Sequence, residues 1–205
     1  MLTRATAAAA AVALVLTTVL ALPPPAVAGP MTELERQHLV AHLEMTEAWL
    51  ASELQGLSYA QLTFKAAPDR WSIKDVAEHL AIAEPQYWTN FETSLKEPVK
   101  AGWKPEATDE GMLWYGIDRT EHNKTGAARV PDGRFSTAQD ALDSFHKLRR
   151  TMLDVAKRSQ DDLRGRSYMG SSQDLYQWFL MISTHSQRHI LQIQEVKAHK
   201  NFPRK

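Results

Sequence analysis

The chain has 205 residues, no cysteine, and 24 lysines and arginines against 24 aspartates and glutamates. That length suits one domain, and the missing cysteine excludes a disulfide framework, a thiolate nucleophile, a Cys-ligated zinc and a lipidated cysteine. Balanced charge without a polybasic run gives no footprint for nucleic acid or anionic lipid, so no nucleic-acid partner is expected.

The chain opens with one arginine, Arg4, then an uncharged run from Ala5 to Leu22, then prolines and Ala26-Val27-Ala28. These are the charged, apolar and small-x-small parts of a secretory signal peptide. The pattern predicts that residues 1–28 are removed and that 29–205 form a single exported domain, periplasmic or secreted. No membrane span is then expected in the mature chain. Retention of the leader as an anchor is the alternative, because the run is about as long as a minimal span.

From Thr32 to Leu57, apolar residues including Leu34, Leu39, Leu43, Leu50 and Leu54 recur at helical spacing, and Gly56 stands at the end. The first amphipathic helix is predicted here. SYAQLTFKAAPDR follows as a connection turning at Pro68-Asp69. Ser72 with Asp75 opens the second helix, Trp71 is placed as a hydrophobic staple, and Ile73, Val76, Leu80, Ala83 and Tyr87 form its stripe. Pro85 predicts a kink or a break.

Residues 96–135 are rich in Pro and Gly and too long for an ordinary bundle loop. A short helix carrying Trp114 and Tyr115 is expected inside this segment, which serves as a crossover or a lid. Ser136 with Gln139 reads as the capping box of the third helix, whose stripe includes Ala141, Leu142, Phe145, Leu148 and Met152. The fourth runs from about Ser172 to Lys200. Four long amphipathic helices without a convincing strand predict an all-α, four-helix bundle with a long connection between helices two and three.

Within the fourth helix, THSQRHILQI places His185 and His189 four residues apart, on one helical face. Imidazole is a common ligand for divalent transition metals. Spacing alone is weak, since His38 and His42 repeat it. Context favours the later pair: Trp178, Phe179, Ile182, Ile190 and Ile193 surround it, whereas Glu33, Glu35, Arg36 and Gln37 give His38 and His42 a solvated setting. His79 lies on a core-facing arc of helix two, as a third ligand or as a core histidine bonded to a neighbour. His122, His146 and His199 read as solvated.

Three segments carry a resemblance: RWSIKDVAEHLAIAE (70–84), PDGRFSTAQDALDSFHKLR (131–149) and HSQRHILQIQEVKAHKNFP (185–203). They resemble the DinB/YfiT-like family of helical-bundle proteins, over roughly Thr32 to Pro203. The resemblance implies the four-helix bundle with its long second connection, and one divalent metal held by three histidines. By matching position these are His79, His185 and His189; His38 and His42 match nothing in the family's metal motif. Zinc or nickel is expected before iron.

A three-histidine site leaves the ion its positive charge and an open position, which acidifies a water to a pKa near ~7 for zinc. The resemblance therefore implies a metal-dependent hydrolase or a thiol-dependent transferase acting on a small molecule. A low-molecular-weight thiol is a cytoplasmic co-substrate, so the export signal weighs against the transferase. A non-catalytic metal-binding module, for sequestration, stress response or partner binding, is the alternative. No catalytic residue is named by the sequence, and a homodimer is left open. Glu44, Glu47 and Gln192 are candidates to orient the ligands, and Tyr87, Trp88, Trp114 and Tyr115 to line a pocket.

Overall fold

The computed structural model describes residues 29–121 and 124–204. The predicted leader (1–28) and His122 lie outside these residues. The helices are α1 (Glu33–Leu54), α2 (Tyr59–Thr63), α3 (Ile73–Leu95), α4 (Asp109–Ile117), α5 (Ala138–Arg158) and α6 (Leu175–Lys197). There is no strand among the described residues, and α1, α3, α5 and α6 are the four long helices of a bundle. None of the described helices is long and apolar enough to cross a membrane.

All four long helices begin with a capping box, in which a side-chain oxygen takes one free N–H and the third helical residue reaches back to another. The pairs are Thr32/Glu35, Ser72/Asp75, Thr137/Asp140 and Asp174/Gln177. Thr137, not Ser136, therefore caps α5, because Asp140 accepts from the Thr137 N–H at 2.9 Å. Residues 59–63, expected as plain connection, form α2 behind a Ser58/Gln61 box. Five residues are too few to show periodicity. Of the kink or break expected at Pro85, the break is excluded: α3 runs through it, with Pro85 exposed while Ala83, Glu84 and Trp88 on its inner side stay buried.

The core falls into two apolar clusters separated by a polar layer. One contains Leu39, Leu43, Phe91, Met152 and Phe179; the other contains Leu50, Val76, Leu80, Phe145 and Ile190. Their order along each helix sets α1 and α6 in one direction and α3 and α5 in the other. Because α3 and α5 are parallel neighbours, the chain between them must travel back along the bundle. That is the physical reason for the long connection. On its way it lays α4 against α6, then returns over α3.

In the layer between the clusters, Glu84 of α3 accepts from Arg149 Nη2 of α5 at 2.8 Å, and Ser186 of α6 donates to Glu84. Burial alone pushes the Glu84 carboxyl up and the Arg149 guanidinium down, and their mutual attraction opposes both. Thr46 of α1 and Ser183 of α6 continue the layer, 2.9 Å apart.

Candidate metal centre

His79 on α3 and His185 and His189 on α6 face one another where the two helices pack side by side. One ring nitrogen from each lies within 4.8 Å of the other two. Nε2 of His79 is 3.4 Å from Nε2 of His185. Two ligands of a tetrahedral ion with bonds of ~2.0–2.1 Å stand roughly 3.3–3.4 Å apart, so this edge already has the right length.

Two of the rings are oriented by partners that fix their tautomers. A carbonyl can only accept, so His79 Nδ1 donates to Arg129 O at 2.7 Å and leaves a lone pair on Nε2. His189 Nδ1 donates to Gln192 Oε1 at 2.8 Å with the same result. His185 is buried, and its Nδ1 has no hydrogen-bond partner among the described residues. Burial holds all three rings below the ordinary imidazole range, His189 down to about 3. The neighbouring rings and arginines 119, 129 and 188 add to the effect. The three imidazoles are thus neutral at physiological pH, the state in which they can ligate. This donor set, convergent and free of carboxylates, fits a borderline divalent ion such as zinc, nickel or iron.

The crossover supports the site from outside. Glu78, buried beside His79, accepts at Oε1 from the main-chain N–H groups of Asp132, Gly133 and Arg134, at 3.2, 2.7 and 2.9 Å. Gly133 has φ 82°, a left-handed conformation that an L side chain would strain. The turn so pinned follows directly on Arg129, whose carbonyl orients His79. On the α6 side, Arg188 donates to the carbonyls of Tyr115, Asp118 and Glu121, binding the C-terminal end of α4. Gly116 allows that close approach, since a Cβ there would stand 2.9 Å from Thr184 Cβ.

A cleft of about 530 Å³ opens over the histidines. Trp71 forms one wall, its ring 4.7 Å from that of His79, and Tyr87 meets His185 edge-on at 5.1 Å. Tyr87 and Tyr115 line the cleft as expected. Trp88 does not, because it stacks on Phe91 in the core at 4.8 Å, and Trp114 points outward, 67 % exposed. Trp71, expected as a staple, packs against the apolar cluster that holds Ile73 and Val76 and also forms part of the wall.

Of the proposed orienting residues, only Gln192 is bonded to one of the three clustered histidines. Glu44 pairs with Lys157 at 2.7 Å and Glu47 with His146 at 2.6 Å, both on the α1–α5 side. His146 is therefore a half-buried hydrogen-bond partner of Glu47, not a solvated side chain. His199 packs against Phe64 with centroids 5.5 Å apart. His38 is exposed, but His42 is not a surface residue: its Nδ1 is 2.7 Å from Ser183 Oγ in the polar layer. Glu78, Arg129 and Arg188 were missed because their roles depend on where the crossover lands.

Comparison with known proteins agrees with this architecture. The uncharacterized protein YuaE of Bacillus subtilis (strain 168) is 27 % identical over 154 residues, covering 74 % of this chain and 91 % of YuaE. The solved structure of YfiT from Bacillus subtilis is similar in fold, with a TM-score of 0.56 at 17 % identity over 89 % of this chain and 95 % of that one. YfiT is described as a probable metal-dependent hydrolase with an unusual four-helix bundle topology. The family model of the DinB superfamily matches residues 38–193, a span that holds all three histidines. The chain belongs to the DinB superfamily.

Proposed function

We propose that the protein holds one divalent metal ion on His79, His185 and His189 and acts as a metal-dependent hydrolase on a small molecule that enters the cleft. The observation that carries this is the convergence of three neutral imidazoles, two buried and one half-buried, two of them turned inward by Arg129 O and Gln192. The description of YfiT supports the same class. When bound, such an ion supplies an acidified water and a Lewis acid for a substrate oxygen. The chain's own contribution is to hold the rings in one tautomer, to wall the site with Trp71 and Tyr87, and to leave one side open to the cleft. Zinc or nickel is proposed before iron, and the leader-like start of the sequence supports placing the protein outside the cytoplasm.

The test is metal analysis of protein purified from its native host, followed by a screen of ester, amide and phosphoester substrates with metal-loaded and chelator-treated protein. One equivalent of metal and metal-dependent hydrolysis are expected. Turnover that requires an added thiol would identify a transferase instead, and stoichiometric metal without any turnover would leave a binding module.

A further inference from the structure

We propose that the cleft takes a small organic anion, with a carboxylate or phosphate group received by Arg129 and a flat apolar body lying against Trp71, Tyr87 and Tyr115. This deepens the hydrolase reading by naming the substrate class. The argument rests on charge. Arg70, Arg119, Lys124, Arg129 and Arg188 all line the cleft, against a single acid, Asp69.

The five cations differ in how far they are neutralised. Arg119 is held by Glu195 through two hydrogen bonds of 2.9 and 2.8 Å. Among the described residues Arg188 donates only to main-chain carbonyls, which satisfy its hydrogen bonds without cancelling its charge. Arg129 lies with its guanidinium 5.5 Å from the centre of the Tyr87 ring. Its Nε is buried with no hydrogen-bond partner, and no carboxylate pairs with it among the described residues. An arginine in that state, at the wall of an open cleft, is a receptor for a planar anion. No carboxylate among the described residues joins the three-histidine cluster, so a divalent ion there would add to an already positive cleft. A negatively charged ligand offsets that excess, and the same field speeds its arrival.

The experiment is calorimetric titration of the full chain with benzoate, phenyl phosphate and neutral benzamide, in metal-loaded and chelator-treated forms. At least one of the two anions should bind both forms, with benzamide weaker by roughly tenfold or more, the size expected for a charge-assisted hydrogen bond. Which anion binds better distinguishes a carboxylate from a phosphate ligand. Arg129→Gln should weaken the anion roughly tenfold, Arg129→Lys should restore part of it, and metal content should stay unchanged in both, because the main-chain carbonyl that orients His79 is kept. A protein that takes up no metal when offered zinc, nickel or iron, yet binds the anion, would defeat the hydrolase reading and leave this proposal standing. Equal affinity for benzamide, or an Arg129→Gln protein that binds the anion as the wild type does, would overturn it.

Discussion

His79 donates from Nδ1 to the main-chain oxygen of Arg129 at 2.7 Å, and its other nitrogen comes to 3.4 Å from Nε2 of His185. One ring thus links the crossover to α6. The carbonyl sets the tautomer, the tautomer exposes a lone pair, and helix packing brings that lone pair to Nε2 of His185. At this distance the two nitrogens are bridged by a proton on His185 Nε2 or by a cation between them.

The crossover turn is predicted to control the site through Glu78. Its carboxylate gathers three N–H groups of residues 132–134, so Glu78→Ala frees the turn after Arg129. Metal affinity should fall roughly 10- to 100-fold, as for loss of other outer partners of metal-binding histidines. Competition with a chelating dye measures it, with circular dichroism to confirm that the helices persist. Unchanged affinity would mean that the turn does not position Arg129.

The polar layer should behave as a unit. Arg149→Met leaves the Glu84 carboxylate buried without its cation, and Glu84→Leu leaves the guanidinium alone; either should cost roughly 3–5 kcal/mol. The double variant should recover most of that loss, because both desolvated charges are gone. Urea unfolding of the three variants forms the cycle. Additive losses would show that the two charges are not coupled.

Acid should destabilise the metal-free protein from about pH 6.5 downward. The three rings have folded pKa values below the unfolded value of roughly 6.5, so the unfolded chain binds more protons in the interval between them. Their contribution is fully present above the unfolded pKa and is lost as pH falls towards the folded values. His189→Gln removes one such group and should flatten the slope of the urea midpoint between pH 7.5 and pH 5. An unaltered slope would contradict the burial of that ring.

His38 and His42 repeat the spacing of His185 and His189 and should separate cleanly from them. His38→Gln is expected to be silent, within about 0.5 kcal/mol, because the side chain is exposed. His42→Ala should cost about 1–2 kcal/mol by removing the contact with Ser183. Neither should change metal content. Loss of metal in either variant would relocate the site.

The fold was largely legible because its signals are local. Ser72 and Asp75 announce the start of α3, and the stripes from Leu39 to Leu50 and from Ala141 to Met152 mark buried faces. His185 and His189 were visible by their spacing, while His79 needed the resemblance, since one histidine among apolar neighbours is ordinarily packing. The wall role of Trp71 escaped because it stands two residues before a helix whose second turn carries His79, a relation that only the folded loop reveals. Glu84 and Arg149 occupy core positions, yet a polar residue within an apolar stripe reads as surface. Arg129 and Glu78 could not be placed, because the crossover's path follows from α3 and α5 running parallel, and no local pattern records that.

The most direct measurement is the metal content per chain of the wild type and of His79→Ala, His185→Ala and His189→Ala, with helicity checked in parallel. The account predicts one ion in the wild type, and loss of stoichiometric binding in each variant while the bundle remains helical, with lower stability where the ion had favoured the folded state. Full occupancy in the His79→Ala protein would contradict it, and would return His79 to the role of a core histidine bonded to Arg129.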